Sequence, residues 1–139
     1  MLEINVNGVF FCSREAVKLM LREKRGGAIV NLSSIAGLSA QGTVHYAASK
    51  SAVLGLTRAC ARELGPHGIR VNALCPGVID TPMAAAIPEA AIKPLVGATP
   101  LRRVGQPEDI AAAAVYLVSE ESSFVTGQWL SPNGGLVMC

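Results

Sequence analysis

The 139-residue sequence contains few aromatic side chains and little charge: aromatic residues make up 4% of it and charged residues 16%. Half of the residues are hydrophobic, so the apolar side chains are mostly those of Ala, Val, Leu and Ile. A disordered chain needs low hydrophobicity and high net charge, so this composition excludes one. It favours helices packed on a buried parallel sheet, whose strands are apolar runs. The length predicts one compact domain over residues 1–139.

Basic stripes, membrane-length apolar runs and a secretory leader are also missing. The net charge is +2, from 12 basic and 10 acidic residues of interspersed sign, which gives no support to nucleic-acid binding. The longest uncharged stretch, residues 26–49, contains Asn31, Ser33 and Gln41, so we expect no membrane span or membrane partner. The start of the sequence lacks the pattern of a signal peptide, which favours the cytoplasm.

The four cysteines, Cys12, Cys60, Cys75 and Cys139, are widely and irregularly spaced and form no C-x-x-C pair. A zinc site or a disulfide framework is therefore not expected. Buried thiols in a reducing compartment are the simpler interpretation, and we predict no metal site.

Periodicity predicts alternating helices and strands. The predicted elements are a helix over 2–21 stopped by Gly26-Gly27, a strand over 28–32, a helix over 44–64, a strand over 69–75, short helical pieces over 83–101, a helix from about 106 to 119 and a strand over 128–130. Such alternation implies right-handed parallel crossovers in an open α/β sheet. Doubly wound sheets are commonly built from two halves, so about three strands with flanking helices indicate one half.

Tyr46 and Lys50 lie four residues apart in the second long helix, so their side chains share one helical face. A nearby ammonium favours the phenolate form of tyrosine, which suits a phenol that exchanges a proton with a carbonyl or alcohol oxygen. Taken alone, the pair is equally typical of an exposed helix surface.

Ser33 and Ser34 directly follow a predicted buried strand, at the sheet edge where open α/β proteins bind ligands. Ser34 precedes Tyr46 by twelve residues, and the loop between them can fold back to bring hydroxyl and phenol together. The alternative is that both hydroxyls satisfy loop backbone groups. Asn5 interrupts an apolar helical stripe, where an amide is more often a local backbone partner.

Together these residues resemble the short-chain dehydrogenase/reductase family, in particular its compact members related to 3-oxoacyl-carrier-protein reductases. The matching stretches are Asn5-x-x-Gly8-x-Phe10, Ile29-Val30-Asn31-Leu32-Ser33-Ser34-x-x-Gly37, Tyr46-x-Ala48-Ser49-Lys50, Arg70-Val71-Asn72-x-x-x-Pro76-Gly77-x-Ile79-x-Thr81, and Thr126-Gly127-Gln128 running to Gly134-Gly135. The resemblance covers nearly the whole sequence. It implies the second, catalytic half of a Rossmann-type sheet and an oxidoreductase that moves hydride between NAD or NADP and a carbonyl or alcohol substrate.

The resemblance also implies roles for individual residues. Asn5, Ser34, Tyr46 and Lys50 match the family's catalytic tetrad. In it Tyr46 would be the acid/base, Ser34 would polarise the carbonyl, Lys50 would hold the nicotinamide ribose and Asn5 would anchor a water. The nicotinamide end of the cofactor would be lined by Pro76, Gly77, Ile79 and Thr81. The family further implies a homo-oligomer, a dimer or tetramer, through helices matching 2–24 and 44–64.

Two departures from the family pattern stand out. The spacing from Ser34 to Tyr46 is twelve, where thirteen is common in the family, so Ser33 is a second candidate for the catalytic serine. No G-x-G-x-x-G occurs, so the family's first half, with its phosphate-binding turn, is absent from these residues.

Three further expectations remain. A chain without the nucleotide-binding half could serve only as a packing or assembly partner. A serine hydrolase is the remote alternative, because residues 37–41 nearly form a nucleophile elbow around Ser39, but Gln41 stands where glycine is expected. The apolar segment 83–87, with Ile92, Leu95 and Val96, predicts an uncharged or apolar carbonyl substrate.

Minor roles are expected for the remaining candidates: His45 and His67 in loops, Asp80 as a helix cap, and Phe124 and Trp129 in packing near the last strand or at a subunit contact.

Overall fold

The computed structural model describes residues 1–85 and 88–138. Its helices are α1 (Val9–Glu23), α2 (Ala36–Ser39), α3 (Val44–Leu64), α4 (Pro82–Ala85), α5 (Glu89–Ala98) and α6 (Pro107–Val118). The strands are β1 (Gly27–Leu32), β2 (Ile69–Leu74) and β3 (Trp129–Leu130). Ala86 and Ile87, which belong to the predicted apolar segment, and Cys139 lie outside the described residues.

The three strands form one parallel sheet in the order β1-β2-β3. β1 and β2 pair in register from Gly27 opposite Ile69 to Leu32 opposite Leu74. β3 is short and pairs only with the end of β2. All three strands therefore present their carboxyl ends at one edge, as the alternation of helices and strands predicts.

The two faces of β2 differ in what covers them. Ile69 and Val71 point to one face, where they pack with Ala61 and Leu64 of α3. Alternate residues of a strand point to opposite faces, so Arg70 lies on the other side. There its guanidinium donates to carbonyls at the end of α6, including that of Leu117. The sheet is thus covered by α1 and α3 on one face and by α6 on the other.

A buried polar chain crosses the α1–α3 face of β1. The Ser13 hydroxyl of α1 donates to Asn31 Oδ1 at 3.4 Å, and Asn31 Nδ2 donates to Thr57 Oγ1 of α3 at 3.0 Å. All three side chains are buried. Because buried polar groups are costly unless paired, this chain specifies how α1 and α3 align over the strand.

Several sequence expectations need correction at the chain's helices. The first helix begins with a π-helical segment, Glu3–Gly8, before α1. The helix end is made by Lys24, which adopts the left-handed conformation, and not by Gly26-Gly27 alone. The predicted loop after β1 contains α2. Pro94 lies inside the ten-residue α5, so the pieces between 83 and 101 are longer than their prolines suggest.

Three side-chain expectations are also wrong. Cys12 is exposed, because it lies on the side of α1 that lines a groove beside β1. Asp80 does not cap α4; the Thr81 hydroxyl accepts the Ala84 N–H at 3.3 Å and does so instead. Phe124 is fully exposed, so it does not pack near the last strand within the described part of this chain, while a subunit contact for it stays a prediction.

Within residues 1–85 and 88–138, no helix combines the length and hydropathy needed to cross a bilayer.

Candidate active site

The candidate site lies where the carboxyl ends of the strands meet. Beyond β1, the Ser33 N–H donates to Leu74 O at 2.7 Å and the Ile35 N–H donates to Pro76 O at 3.1 Å. These bonds continue the β1–β2 pairing past the strands, so the serine pair and the Pro76-Gly77 segment lie side by side. The sequence predicts both at this edge, and the structure brings their backbones into contact.

The two adjacent serines have different environments. Ser33 is 3% exposed, and its hydroxyl donates to the carbonyl of Lys50 at 2.8 Å. That hydroxyl is therefore committed to fastening β1 to α3. Ser34 is half-buried, and its Oγ accepts the Ala36 N–H at 3.1 Å, which leaves its own proton available to a substrate oxygen. Of the two candidates, Ser34 has the environment that a carbonyl-binding hydroxyl needs.

Tyr46 and Lys50 share one face of the first turns of α3. The Lys50 Nζ atom lies 5.8 Å from the centre of the Tyr46 ring. It also donates to the carbonyl of Leu32, the last residue of β1, at 2.9 Å. One ammonium thus connects the phenol-bearing helix to the strand end that precedes the serine pair.

Lys50 is half-buried, and this changes its acidity. Burial lowers the pKa of the Lys50 ammonium below its ordinary value, while the nearby Cys75 thiol opposes that shift. Cys75 is itself buried and follows directly on β2. The ammonium stays close to the sheet edge and is only partly screened by water, so its charge acts strongly on groups placed there.

Asn5 reaches the same part of α3 from the π-helical segment. Its Nδ2 donates to Ser49 Oγ at 3.1 Å, and Ser49 Oγ donates to the carbonyl of Tyr46 at 2.7 Å. The sequence predicts Asn5 as a site residue but gives Ser49 no role. No local signal could have revealed this contact, because it joins residues 44 positions apart.

A close approach between α2 and α3 holds the loop after Ser34 against this turn. A Cβ atom on Gly37 would lie 2.8 Å from the backbone carbon of Lys50 and 2.9 Å from Ser33 Oγ. The Ser51 hydroxyl also donates to the Gly37 carbonyl at 3.0 Å. Only glycine permits this distance, so Gly37 sets how near the two helices lie.

The segment 76–81 is fastened to its surroundings at several points. Gly77 N–H donates to Pro132 O, and a Cβ on Gly77 would lie 2.9 Å from Asn133 Cα. Ile79 pairs with Gly105 in a short parallel bridge. Thr81 Oγ1 contacts Ile79 O at 3.4 Å and caps α4. The four residues predicted to line a cofactor therefore lie on one backbone segment that these contacts hold.

Behind this segment lies a cavity of about 210 Å³, lined among others by Val78, Ile79, Val96, Thr99 and Asn133. Its polar groups are satisfied within the chain, since Asn133 Nδ2 donates to Ser131 Oγ and Val137 O, and Thr99 Oγ1 donates to Leu95 O. Asn133 is a structural residue that the sequence did not reveal.

Metal binding and serine hydrolysis are the two other chemistries to compare with the described residues. Among residues 1–85 and 88–138, no group of three His, Cys, Asp or Glu side chains could hold a metal ion. Ser39, the hydrolase candidate, ends the short helix α2, and its hydroxyl donates to Ile35 O at 2.9 Å. A nucleophile elbow needs a sharp turn from strand to helix, so this position does not favour hydrolysis.

Known proteins resemble this chain over nearly its whole length. A family model described as enoyl-(acyl carrier protein) reductase matches residues 1–137. A protein of Mediterraneibacter gnavus named 3alpha-hydroxysteroid dehydrogenase is 52% identical over 133 residues, which are 95% of this chain and 53% of that protein. A 3-oxoacyl-[acyl-carrier-protein] reductase of Thermotoga maritima is 44% identical over 138 residues, covering 99% of this chain and 56% of the other.

A solved structure from Mycobacterium ulcerans, described as a short-chain type dehydrogenase/reductase, superposes with a TM-score of 0.91 at 38% identity. The match covers 97% of this chain and 50% of that one. The chain therefore spans about half the length of the relatives that it matches.

Proposed function

Because the chain belongs to the short-chain dehydrogenase/reductase family, we propose that it forms the catalytic and substrate half of an NAD(P)-dependent oxidoreductase. The reaction moves a hydride between the nicotinamide and a carbonyl/alcohol pair. The observation that carries the proposal is the Tyr46–Lys50 pair on one helical face, with Lys50 Nζ bonded to the end of β1. This arrangement brings a phenol and an ammonium to the edge where ligands bind in open α/β sheets.

In the reducing direction, Tyr46 donates its phenolic proton to the carbonyl oxygen while the hydride adds to the carbonyl carbon. The product is an alcohol, and the tyrosine is left as a phenolate. The Lys50 ammonium stabilises that phenolate, since an opposite charge nearby favours the ionised form. Ser34 donates its free O–H to the same carbonyl oxygen and so orients the substrate. Oxidation of the alcohol runs through the same steps in reverse.

The nicotinamide end of NAD or NADP fits the residues of this chain. Tyr46 and Lys50 supply a hydroxyl and an ammonium that can bind a ribose, and both side chains are half-buried at the sheet edge. Pro76, Gly77, Ile79 and Thr81 lie on the adjoining segment. The bound cofactor would supply the hydride. The sequence has no glycine-rich phosphate turn, so the pyrophosphate would need residues outside these 139.

The substrate class follows from apolar residues and from the names of relatives. Met83 is largely exposed, and half-buried Ile92, Leu95 and Val96 lie on α5 nearby in the sequence. Relatives are named for hydroxysteroid and 3-oxoacyl chemistry. Both classes carry a ketone or secondary alcohol on an apolar framework, so we expect an uncharged or apolar carbonyl compound.

The working form is proposed to be a cytoplasmic homo-oligomer, a dimer or tetramer, in contact through residues 2–24 and 44–64. Support comes from apolar side chains that α1 leaves exposed, namely Phe10, Phe11 and Leu19. Neither a nucleic acid nor a membrane is expected as a partner.

The test is NADH- or NADPH-dependent reduction by the protein that contains these 139 residues, with and without Tyr46→Phe. Removing one phenolic oxygen should lower kcat by roughly 10²–10⁴-fold, the usual contribution of a general acid. Tyr116→Phe is the matched control, because the chain's other tyrosine lies on α6, and it should keep the wild-type rate. The substrate panel should contain a 3-oxoacyl thioester, a ketosteroid and oxaloacetate.

Equal rates for the wild type and Tyr46→Phe would refute the assignment. Best turnover with oxaloacetate, a small dicarboxylate, would refute the substrate class alone. Titration of the 139-residue chain with NADH and NADPH distinguishes the proposed function from the alternative of a mere assembly partner. Saturable binding of either cofactor by the chain itself would contradict that alternative.

A further inference from the structure

Ser49 is fully buried, with 0% of its surface exposed, although it lies one residue from Lys50 in the candidate site. Its hydroxyl sits between two groups of the site, the side-chain amide of Asn5 and the backbone carbonyl of Tyr46. A buried serine hydroxyl needs only one acceptor for its proton, and the Tyr46 carbonyl already provides it. The first contact reaches across to a different element.

The direction of both hydrogen bonds is fixed by chemistry. A serine hydroxyl has one proton, and Ser49 donates it to Tyr46 O at 2.7 Å. Towards Asn5 it can therefore only accept, and the Asn5 amide must present its NH₂ end at 3.1 Å. Ser49 thus determines which way the Asn5 amide is turned.

The backbone around Asn5 is not regular α-helix. Asn5 lies in the π-helical segment Glu3–Gly8, where the turn is wider than in an α-helix. Its own N–H still bonds to Met1 O, so the segment changes its hydrogen-bonding pattern close to this residue. The side-chain contact to Ser49 fastens this segment to α3 at the residue where the pattern changes.

Ser13, Asn31 and Thr57 make the same kind of connection two turns further along α1. The two contacts together align α1 and the π-helical segment against α3. Only the Asn5–Ser49 contact lies at the turn that carries Tyr46.

We propose that Ser49 is a positioning residue for the reaction. It locks Asn5 of the π-helical segment to the second turn of α3 and, through the Tyr46 carbonyl, to the first turn, and thereby fixes where the Tyr46 phenol and the Asn5 backbone lie relative to each other. This inference rests on the proposed function. It assigns Ser49 no contact with substrate or cofactor, because the side chain is fully buried.

The test is a double-mutant cycle of Ser49→Ala and Asn5→Ala in the protein that contains these residues. Because misplacement by about 1 Å can cost 10²-fold, each single change should lower kcat, normalised to folded protein, by roughly 10–100-fold. The KM for NADH should stay within about threefold. The double variant should be no slower than the slower single variant, since both changes remove the same contact.

Ser119→Ala is the matched control. Ser119 Oγ donates to the carbonyl three residues earlier, that of Tyr116, at 2.9 Å, as Ser49 does to Tyr46. It lies at the end of α6, far from Asn5 in the fold, and should keep the wild-type kcat. If the Ser49→Ala variant fails to fold, Asn5→Ala still tests the Asn5–Ser49 contact, because Asn5 is only half-buried.

Hydrogen exchange of backbone amides 47–50 supplies a readout that needs no activity. Exchange at this turn should quicken by about tenfold in Ser49→Ala and Asn5→Ala but not in Ser119→Ala, since lost anchoring permits local opening. Independent, additive effects on kcat, or exchange unchanged in both variants, would overturn the role of Ser49. An inactive wild type whose exchange responds as expected would refute the proposed reaction while supporting the Asn5–Ser49 lock.

Discussion

Lys50 is the residue in which position and charge are most closely linked. Its Nζ is held by the Leu32 carbonyl, and burial lowers its pKa below that of a free lysine. The folded state therefore binds this proton less readily than the unfolded chain does. As the pH rises from the lowered pKa towards the ordinary lysine value, the cost of the buried charge is relieved and stability from this group increases.

We therefore expect the free energy of unfolding to include a contribution from Lys50 that grows as the pH rises towards the ordinary lysine pKa. The Lys50→Met variant should lack this pH-dependent contribution. Urea unfolding of both proteins between pH 7 and 10 measures the difference between their curves. Lys93→Met, which alters an exposed lysine of α5, is the control and should follow the wild-type curve. A Lys50→Met curve parallel to the wild type would contradict the expectation.

Residue types and spacing were enough to select Tyr46, Lys50, Ser34 and Asn5 as candidates. They could not distinguish Ser33 from Ser34, because both follow the same strand. The structure separates them through Lys50, whose backbone carbonyl accepts the Ser33 hydroxyl. That distinction depends on how α3 lies over the strand end, and no local pattern contains it.

At the scale of elements, the approach of α2 to α3 decides the shape of the site. Gly37→Ala would place a methyl group 2.8 Å from the Lys50 backbone, where neither helix can yield without moving the other. We expect it to destabilise the fold by about 1–3 kcal/mol, as overpacking generally does. It should also lower kcat, because the Tyr46 turn is displaced relative to Ser34.

Gly55→Ala is the control, since a Cβ there meets nothing within 4 Å and Gly55 lies in the interior of α3. It should raise the free energy of unfolding by roughly 0.5–1 kcal/mol. Chemical denaturation of the two variants checks both signs. If both variants changed the free energy of unfolding equally, the effect at Gly37 would come from the conformational freedom of glycine and not from close packing against Lys50.

An ion pair at the start of α6 makes the acid stability of the chain depend on pH. The Arg103 guanidinium, at 2.6 and 2.9 Å, lowers the pKa of Asp109 to about 2, and the Gln106 N–H adds to this shift. The carboxylate is thus ionised more readily in the folded state. Its stabilising effect is present above the ordinary aspartate pKa and is lost as the pH falls through about 2.

Melting temperatures between pH 5 and 2 should therefore fall more steeply for the wild type than for Asp109→Asn. Glu108→Gln changes an exposed acid of the same turn and should keep the wild-type slope. If Asp109→Asn melted with the wild-type slope, the Arg103 contact would contribute nothing to acid stability. At neutral pH, the same variant should melt lower than the wild type, because it loses the ion pair to Arg103 and keeps only a neutral oxygen as acceptor for the Gln106 N–H.

At the scale of the whole molecule, two of the described helices, α1 and α6, expose large apolar side chains. The first surface is the exposed side of α1, which carries Phe10 and Phe11, and the second surface lies on and after α6, where Val115, Val118 and Phe124 are exposed. Exposed apolar patches of this kind usually mark protein contacts. The proposed oligomer uses the first surface, together with α3.

Phe11→Glu should therefore reduce the oligomeric state measured by sedimentation equilibrium, because a charge would be buried at the contact. Val115→Glu makes the same change on the second surface. Dissociation by Val115→Glu alone would show that residues 2–24 and 44–64 do not form the interface. Dissociation by both would indicate two interfaces, as in a tetramer with two kinds of contact.

The sequence by itself determined the parallel α/β fold and the positions of β1, α3, β2 and α6 to within about a residue, and it selected the candidate residues for the proposed chemistry. Periodicity and turn residues are local, and they record which side of each element is buried. Tertiary structure alone decided which polar atoms meet: Asn5 with Ser49, Ser33 with Lys50, and Asn31 with Ser13 and Thr57. Such pairs depend on how helices lie against a strand, and that alignment is set by packing between segments distant in the sequence.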